Sequence, residues 1–213
     1  MKKRIIKILD ILKREYKIKK PFLNFETDFQ LLVSVILSAQ CTDARVNIVT
    51  KELFKKVKHP KDLIKISQKE LETYVYSTGF YKNKAKHLKE TAEILEKNFK
   101  GKIPNTMEHL LTLKGVHRKT ANVVLGYLFN KKDAFPVDTH VKRVTNRLNL
   151  TKNKNPSKVE QDLMKITSNN ELFKLSTLLI MHGRKICKAK NPRCFSCKIS
   201  KLCPSAFKFE KDL

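Results

Sequence analysis

Apolar residues recur at helical spacing along most of this 213-residue chain. No segment shows the sustained alternation of apolar and polar residues, bounded by turns, that marks a β-strand. Turn-forming residues are few, with 5 glycines and 7 prolines. The sequence therefore predicts an all-α protein. The predicted helices cover residues 3–17, 28–40, 43–57, 60–66, 68–77, 81–99, 105–112, 116–130, 139–148, 157–167 and 171–186.

Two of these helices carry a start signal in which a serine precedes a glutamate by three residues. The pairs are Ser67 with Glu70 and Ser157 with Glu160. Such pairs form capping boxes, in which each side chain bonds a backbone N–H of the other residue. We therefore expect Ser67 and Ser157 to cap the helices that follow them.

The N-terminal segment has basic and apolar residues, as a signal peptide does. Charges recur through its apolar part, however, and no small-residue cleavage site follows. No apolar run in the chain approaches the roughly 20 residues of a membrane span. We therefore expect a cytoplasmic protein, associated with the nucleoid if prokaryotic, with no membrane contact. The apolar residues of the segment mark one helix face: Ile5, Ile8, Leu9 and Leu12.

The charge of the chain is strongly unbalanced, with 46 Lys and Arg against 20 Asp and Glu and a net charge of +26. Such an excess favours a polyanionic partner, most often nucleic acid. A proteome-wide preference for lysine is the alternative. Hydrophobic residues make up 41% of the chain, which is the share of a folded protein and not of a disordered one.

Four cysteines lie within 17 residues near the C-terminus, in the pattern C-x6-C-x2-C-x5-C. In a cytoplasmic chain this density indicates a metal site more than disulfides. Tetrahedral zinc and an iron–sulfur cluster are both open, and the long spacers favour the larger cluster. Seven basic residues and no acidic residue lie between residues 184 and 203, which suits an anionic cluster. The four cysteines are Cys187, Cys194, Cys197 and Cys203.

The stretch LKGVHRKTANVV, residues 113–124, predicts a helix, a glycine turn at Gly115 and a second helix. Free backbone N–H groups at a helix N-terminus bind anions, and here a DNA phosphate is expected. Helical geometry places Lys119 at the edge of the apolar stripe, whereas Arg118 and Asn122 point away from it. A partly desolvated lysine among cations loses its proton readily and becomes a nucleophile. Alternatively, Lys119 simply extends to water.

A second candidate is Asp138, in the stretch FPVDTHVKRV. It immediately precedes a predicted helix, so we expect it to be the N-cap. A capping carboxylate is held rigidly, which also suits a catalytic group.

Taken together, LKGVHRKTANVV, VDTHVKRV, LLVSVILSAQCTD and the four cysteines resemble the endonuclease III family. These are bifunctional DNA glycosylases of the helix-hairpin-helix superfamily, and the resemblance runs nearly end to end. It implies that Lys119 is the Schiff-base lysine and Asp138 the catalytic aspartate. It also implies that the four cysteines bind a [4Fe–4S] cluster.

The fold implied by the resemblance is all-α and two-lobed. Residues 21–131 are expected to form a six-helix barrel that carries the hairpin. Residues 1–20 and 132–213 are expected to form a discontinuous helical domain that carries the iron–sulfur cluster. We expect a monomer.

The resemblance further implies which residues contact DNA. Gln40 and Phe80 fall where the family inserts side chains into the duplex, although Phe80 could equally be a core residue. The family hairpin usually reads G-V-G, and this chain has His117 in place of the second glycine. Histidine is among the residues that tolerate positive φ. The implied hairpin contacts are Gly115, Val116, His117 and Arg118, and those on the helix after Asp138 are His140 and Arg143.

The implied function is base excision repair. The enzyme would remove oxidised pyrimidines from duplex DNA and cleave the abasic site by β-elimination. Two alternatives stay open: a monofunctional glycosylase of the same superfamily, which generally lacks the hairpin lysine, and a non-catalytic iron–sulfur DNA-binding protein.

Overall fold

A computed structural model describes residues 1–18 and 21–209 of the chain. Within these ranges the protein has eleven α-helices and three short 3₁₀ helices, and no β-strand. The all-α prediction is therefore confirmed. The α-helices are α1 Lys2–Glu15, α2 Asp28–Leu37, α3 Asp43–Lys56, α4 Pro60–Lys65, α5 Gln68–Val75, α6 Tyr81–Phe99, α7 Met107–Leu111, α8 Arg118–Leu128, α9 Thr139–Arg147, α10 Pro156–Ile166 and α11 Leu172–Lys185. The 3₁₀ helices are Tyr76–Thr78, Asn169–Glu171 and Ser200–Leu202.

Most helices begin at a side chain that bonds a backbone N–H of the first turn. Ser67 caps α5 as predicted, since its side chain accepts from the N–H of Glu70. The predicted cap at Ser157 is wrong. Asn155 caps α10 instead, because its side chain accepts from two backbone N–H groups and Pro156 occupies the first helical position.

The chain divides into two compact units, one comprising Met1–Lys19 with Lys131–Leu213 and the other Lys20–Asn130. The predicted domain bounds also include residues 19–20 and 210–213, which lie outside the described residues. Each unit has its own buried apolar side chains.

In the discontinuous unit, α11 packs against α9 and α1. The predicted apolar face of α1 is confirmed, because Ile5, Ile8, Leu9 and Leu12 are all buried in this core. Phe135, on the segment before α9, is fully buried in the same cluster. The N-terminal helix is thus part of the folded unit that ends with the cysteines.

In the continuous unit, α2 is the most deeply buried helix, with nine of its ten residues buried. It packs against α8, α3 and α6, and α6 also packs against α4 and α5. Each fully buried Leu or Ile stabilises such a core by about 1.5–3 kcal/mol. The helix that follows the glycine turn is therefore fixed to the centre of this unit.

No helix among the described residues is both long enough and apolar enough to cross a membrane.

Candidate functional site

The glycine turn between α7 and α8 is tightly braced. Gly115 has φ +73°, and a Cβ added there would lie 3.2 Å from Cβ of His87 and 3.3 Å from Cγ2 of Ile36. Both the dihedral and the space therefore require glycine. Thr91 Oγ1, on α6, donates to the carbonyl of Lys114 at 2.8 Å. The turn is thus fixed to α2 and α6, which determines where α8 begins.

His117 is the N-cap of α8, with extended dihedrals of φ −107° and ψ 171°. The tolerance of histidine for positive φ is not used here, because an N-cap residue adopts the β region, which any residue accepts. Its side chain makes no cap hydrogen bond. The side chain of Val116 is buried, at 4% exposed. The DNA contact predicted for Val116 can therefore involve only its backbone.

The first turn of α8 contains basic residues and no acidic residue. Lys119 is exposed. The prediction that it is partly desolvated is therefore wrong. Asn122, predicted to point away from the buried stripe, is instead only 3% exposed. The reason is that α8 packs against both α2 and α7, so its buried face is wider than one apolar stripe.

Asp138 is the N-cap of α9, as predicted. Its Oδ1 accepts from the backbone N–H of Val141 at 2.8 Å. The residue is partly exposed. A carboxylate is therefore held in one orientation at the start of α9 without being removed from solvent.

His140 and Arg143, on the first turns of α9, make contacts within their own unit. Arg143 Nε and Nη2 both donate to the carbonyl of Cys187, at 3.0 and 2.9 Å, and Nη2 also donates to that of Gly183. The same Nη2 lies 3.1 Å from Nδ1 of His140. Burial lowers the pKa of His140 against the opposing effect of Asp138. Arg143 thus joins α9 to the end of α11, and its predicted contact with DNA stays a prediction.

Gln40 and Phe80 both lie in the left-handed region, with φ of 53° and 50°. Both side chains are exposed, Phe80 by 65%. The alternative that Phe80 is a core residue is therefore wrong. Each side chain follows the end of a helical segment and is presented to solvent.

The four cysteines line one recess that opens to solvent. Among the described residues, no three Cys, His, Asp or Glu side chains come close enough together to hold a single metal ion. A zinc ion needs its thiolates within about 2.3 Å. A multi-iron cluster spreads its four thiolates over a larger volume than a single zinc ion does.

Burial in the recess disfavours thiolates unless a metal stabilises them. Burial raises the pKa of Cys197 to about 11 and also raises that of Cys203. A bound cationic centre would reverse this preference, because metal ligation requires and stabilises the thiolate. Four thiol donors around one recess are the ligands that a soft metal centre uses.

Three residues around the recess were not predicted from the sequence. Arg147 Nη1 lies 3.4 Å from Sγ of Cys187 and donates to the carbonyl of Lys188 at 2.6 Å. His182 Nε2 lies 3.7 Å from Sγ of Cys197, and its Nδ1 lies 3.0 Å from Oη of Tyr16. Arg147 lies four residues after Arg143, so both are on one face of α9, and this spacing could have indicated Arg147. Tyr16 and His182 come from distant segments of the chain, and no local signal indicates them.

Comparisons with known proteins agree with this geometry. Residues 33–169 match the model of the HhH-GPD superfamily of base excision DNA repair proteins. Endonuclease III of Synechocystis sp. is 45% identical over 205 residues, covering 96% of this chain and 94% of the relative.

Two solved structures resemble the whole chain, each with a TM-score of 0.92 and 39% identity. One is a non-covalent endonuclease III–DNA complex, covering 98% of this chain and 97% of the other. The second is a trapped endonuclease III–DNA covalent intermediate, covering 98% of both chains.

The fold and the hairpin thus define a base excision DNA repair protein of the helix-hairpin-helix superfamily. At 45% identity over nearly the full length, the chain belongs to the endonuclease III family within it. It is therefore a DNA glycosylase and lyase.

Proposed function

We propose that this enzyme removes oxidised pyrimidines from duplex DNA and cleaves the abasic site through a Schiff base on Lys119. The observation that carries the proposal is the exposed lysine on the first turn of α8, directly after the braced glycine turn and with no acidic residue beside it in that turn. An amine in this position is accessible to DNA and unpaired with a first-turn carboxylate. The enzyme acts as a monomer in the cytoplasm.

The damaged nucleotide must leave the stack before reaction, because C1′ of its sugar is inaccessible inside the duplex. Gln40 and Phe80, both exposed, insert into the duplex, and Phe80 fills the space left by the flipped base. Oxidised pyrimidines stack poorly, so their extrusion costs less than that of intact bases.

The hairpin holds the DNA backbone. The N-terminus of α8 presents backbone N–H groups to a phosphate, and His117 and Arg118 add positive charge. The phosphate offsets the unfavourable position of cations at the positive end of a helix dipole. The DNA contacts of His140 and Arg143 stay predictions.

Chemistry begins when the neutral amine of Lys119 attacks C1′. The glycosidic bond breaks, its electron pair leaves with the base, and the base takes up a proton. Opening of the sugar ring gives an imine. The imine makes the C2′ proton acidic, and loss of that proton expels the 3′ phosphate as the C3′–O bond breaks. Water then hydrolyses the imine and releases Lys119.

Asp138 has two roles in this sequence. Its carboxylate stabilises the positive charge that develops on the sugar as the base leaves, and it assists removal of a proton from the lysine. The cap bond to Val141 fixes the carboxylate in advance, so no reorientation is needed during the reaction.

The recess of Cys187, Cys194, Cys197 and Cys203 holds a [4Fe–4S] cluster. When bound, the cluster crosslinks the C-terminal loops and needs no change of redox state for the repair reaction. Protein purified without oxygen is expected to contain iron and sulfide at about four each per chain. Stoichiometric zinc without sulfide would contradict this assignment.

Borohydride trapping on defined duplexes tests the reaction, because borohydride reduces a protein–DNA imine to a permanent link. Duplexes carrying an oxidised pyrimidine or an abasic site are expected to be trapped and cut. A matched duplex with the intact pyrimidine is the control. Base release without trapping would instead indicate a monofunctional glycosylase, and neither activity would indicate a non-catalytic DNA-binding protein.

A further inference from the structure

Lys84, on α6, is a buried lysine that the reaction described above does not use. It is only 6% exposed, and its Nζ donates to the carbonyls of Leu37 and Thr78, both at 2.8 Å. Burial lowers the pKa of Lys84. A buried ammonium is costly unless hydrogen bonds compensate it, and here two carbonyls do so.

The two carbonyls end two different helical segments. Leu37 is the last residue of α2, and Thr78 is the last residue of the 3₁₀ helix Tyr76–Thr78. The final carbonyls of a helix lack intrahelical partners. A single side chain thus satisfies the ends of both segments and holds them near each other.

The two chain segments that continue from these ends carry the residues assigned to duplex insertion. Gln40 lies three residues after Leu37, and Phe80 lies two residues after Thr78. Both have left-handed dihedrals, which are unfavourable for a residue other than glycine. Such conformations persist only where the surrounding structure holds them.

We propose that Lys84 is a positioning residue that fixes the Gln40 and Phe80 segments at one spacing, so that both side chains enter the duplex together. The proposal rests on the function proposed above, in which these two side chains insert. Fixing the two segments in the free protein removes an ordering cost from the step that flips the base.

The same helix offers a matched control. Nζ of Lys89 donates to the carbonyls of Ile64 and Ile66, at and just beyond the end of α4. It therefore bridges two carbonyls as Lys84 does, but no residue assigned to DNA follows them. Replacing Lys89 therefore measures the effect on stability of losing a lysine that bridges two carbonyls, without any effect on residues assigned to DNA.

Backbone hydrogen exchange of the free protein tests the positioning without DNA. Lys84→Met is expected to accelerate exchange in residues 38–42 and 76–81, and Lys89→Met is not. Unchanged exchange in both segments of Lys84→Met would overturn the proposal. If Lys84→Met does not fold, Lys84→Gln replaces it, since the amide keeps N–H donors on a shorter stem.

Single-turnover excision of an oxidised pyrimidine then tests the link to insertion through a mutant cycle. Lys84→Met is expected to slow the wild-type enzyme about tenfold, the effect of losing a hydrogen bond from a charged group. In a Gln40→Ala, Phe80→Ala background the further slowing is expected to be about twofold or less. Lys89→Met is expected to have equal effects in both backgrounds.

The two ways of failing are distinguishable. If the Gln40→Ala, Phe80→Ala enzyme turns over like wild type, the insertion step of the proposed function is wrong, and the Lys84 role falls with it. If that enzyme is slow and Lys84→Met slows it by a further tenfold, insertion stands and the positioning role of Lys84 is overturned.

Discussion

The start of α8 and the cysteine recess both concentrate basic side chains, but they use them differently. At the recess, Arg143 and Arg147 direct their donors to backbone carbonyls and to Sγ of Cys187. At the start of α8, His117 and Lys119 are exposed, and no acidic residue lies in the first turn. The first group holds the protein together, whereas the second faces outward to a ligand.

The basic residues behind the net charge of +26 therefore have more than one role. Cations bonded to carbonyls should contribute to stability, and outward cations should contribute to DNA affinity and chemistry. Variants of both groups test that division.

Lys119→Gln should reduce borohydride trapping and strand cleavage by at least about 10³-fold, because the nucleophile is removed. The free energy of unfolding should change by about 0.5 kcal/mol or less, since the side chain is exposed. Single-turnover trapping and denaturant unfolding measure the two quantities. Binding to abasic DNA should persist, because one of several cationic contacts is lost.

The control is Lys114→Gln, which removes an equal charge from the same exposed hairpin. It should keep trapping. Undiminished trapping in Lys119→Gln would refute the assignment and point to another amine, such as the N-terminus.

Asp138→Asn should slow excision about 10²-fold, within the usual range for a positioned acid–base group. Asparagine caps helices as well as aspartate does, so the free energy of unfolding should hardly change. Asp133→Asn, at an exposed position in the segment before α9, removes the same charge as a control. Excision at the wild-type rate in Asp138→Asn would leave Asp138 with its capping role alone.

Arg147→Lys should lower the free energy of unfolding of the iron-loaded protein by about 2–3 kcal/mol and speed the loss of iron. The net charge is unchanged, but lysine lacks the planar fork that reaches Lys188, Ala189 and Cys187 together. Denaturant midpoints and iron release measure the two effects. Wild-type stability in this variant would mean that charge, and not geometry, is what the recess needs.

Local sequence pattern predicted much of the fold. All eleven helices were placed within a few residues, and the caps at Ser67 and Asp138 were correct, because these signals depend on neighbours in the chain. The burial of α1 followed from its apolar face in the same way.

The features that the sequence did not predict depend on contacts between residues that are far apart in the chain. The bond from Lys84 to Leu37 spans 47 positions, and the contact between Tyr16 and His182 spans 166. The sequence periodicity of each segment does not predict which distant residue it contacts. The exposure of Lys119 was misjudged for a related reason, since the buried face of α8 depends on which helices pack against it.

Gly115→Ala should lower the free energy of unfolding by about 1–2 kcal/mol, which is less than the loss expected for Arg147→Lys. Two terms contribute: the strain of alanine at φ +73°, and the contact of its Cβ with His87 and Ile36. Denaturant unfolding measures the sum. Because the turn sets where α8 begins, binding to undamaged duplex should weaken as well.

Gly79→Ala separates the two terms. Gly79 has nearly the same φ, +71°, but an added Cβ there would meet nothing within 4 Å. Its replacement should therefore report backbone strain without a new steric contact. A larger loss at Gly115 than at Gly79 would show that the turn is held by packing against α2 and α6. Equal losses would mean that the hairpin adjusts to the extra atom, and the rigid placement of the start of α8 would have to be abandoned.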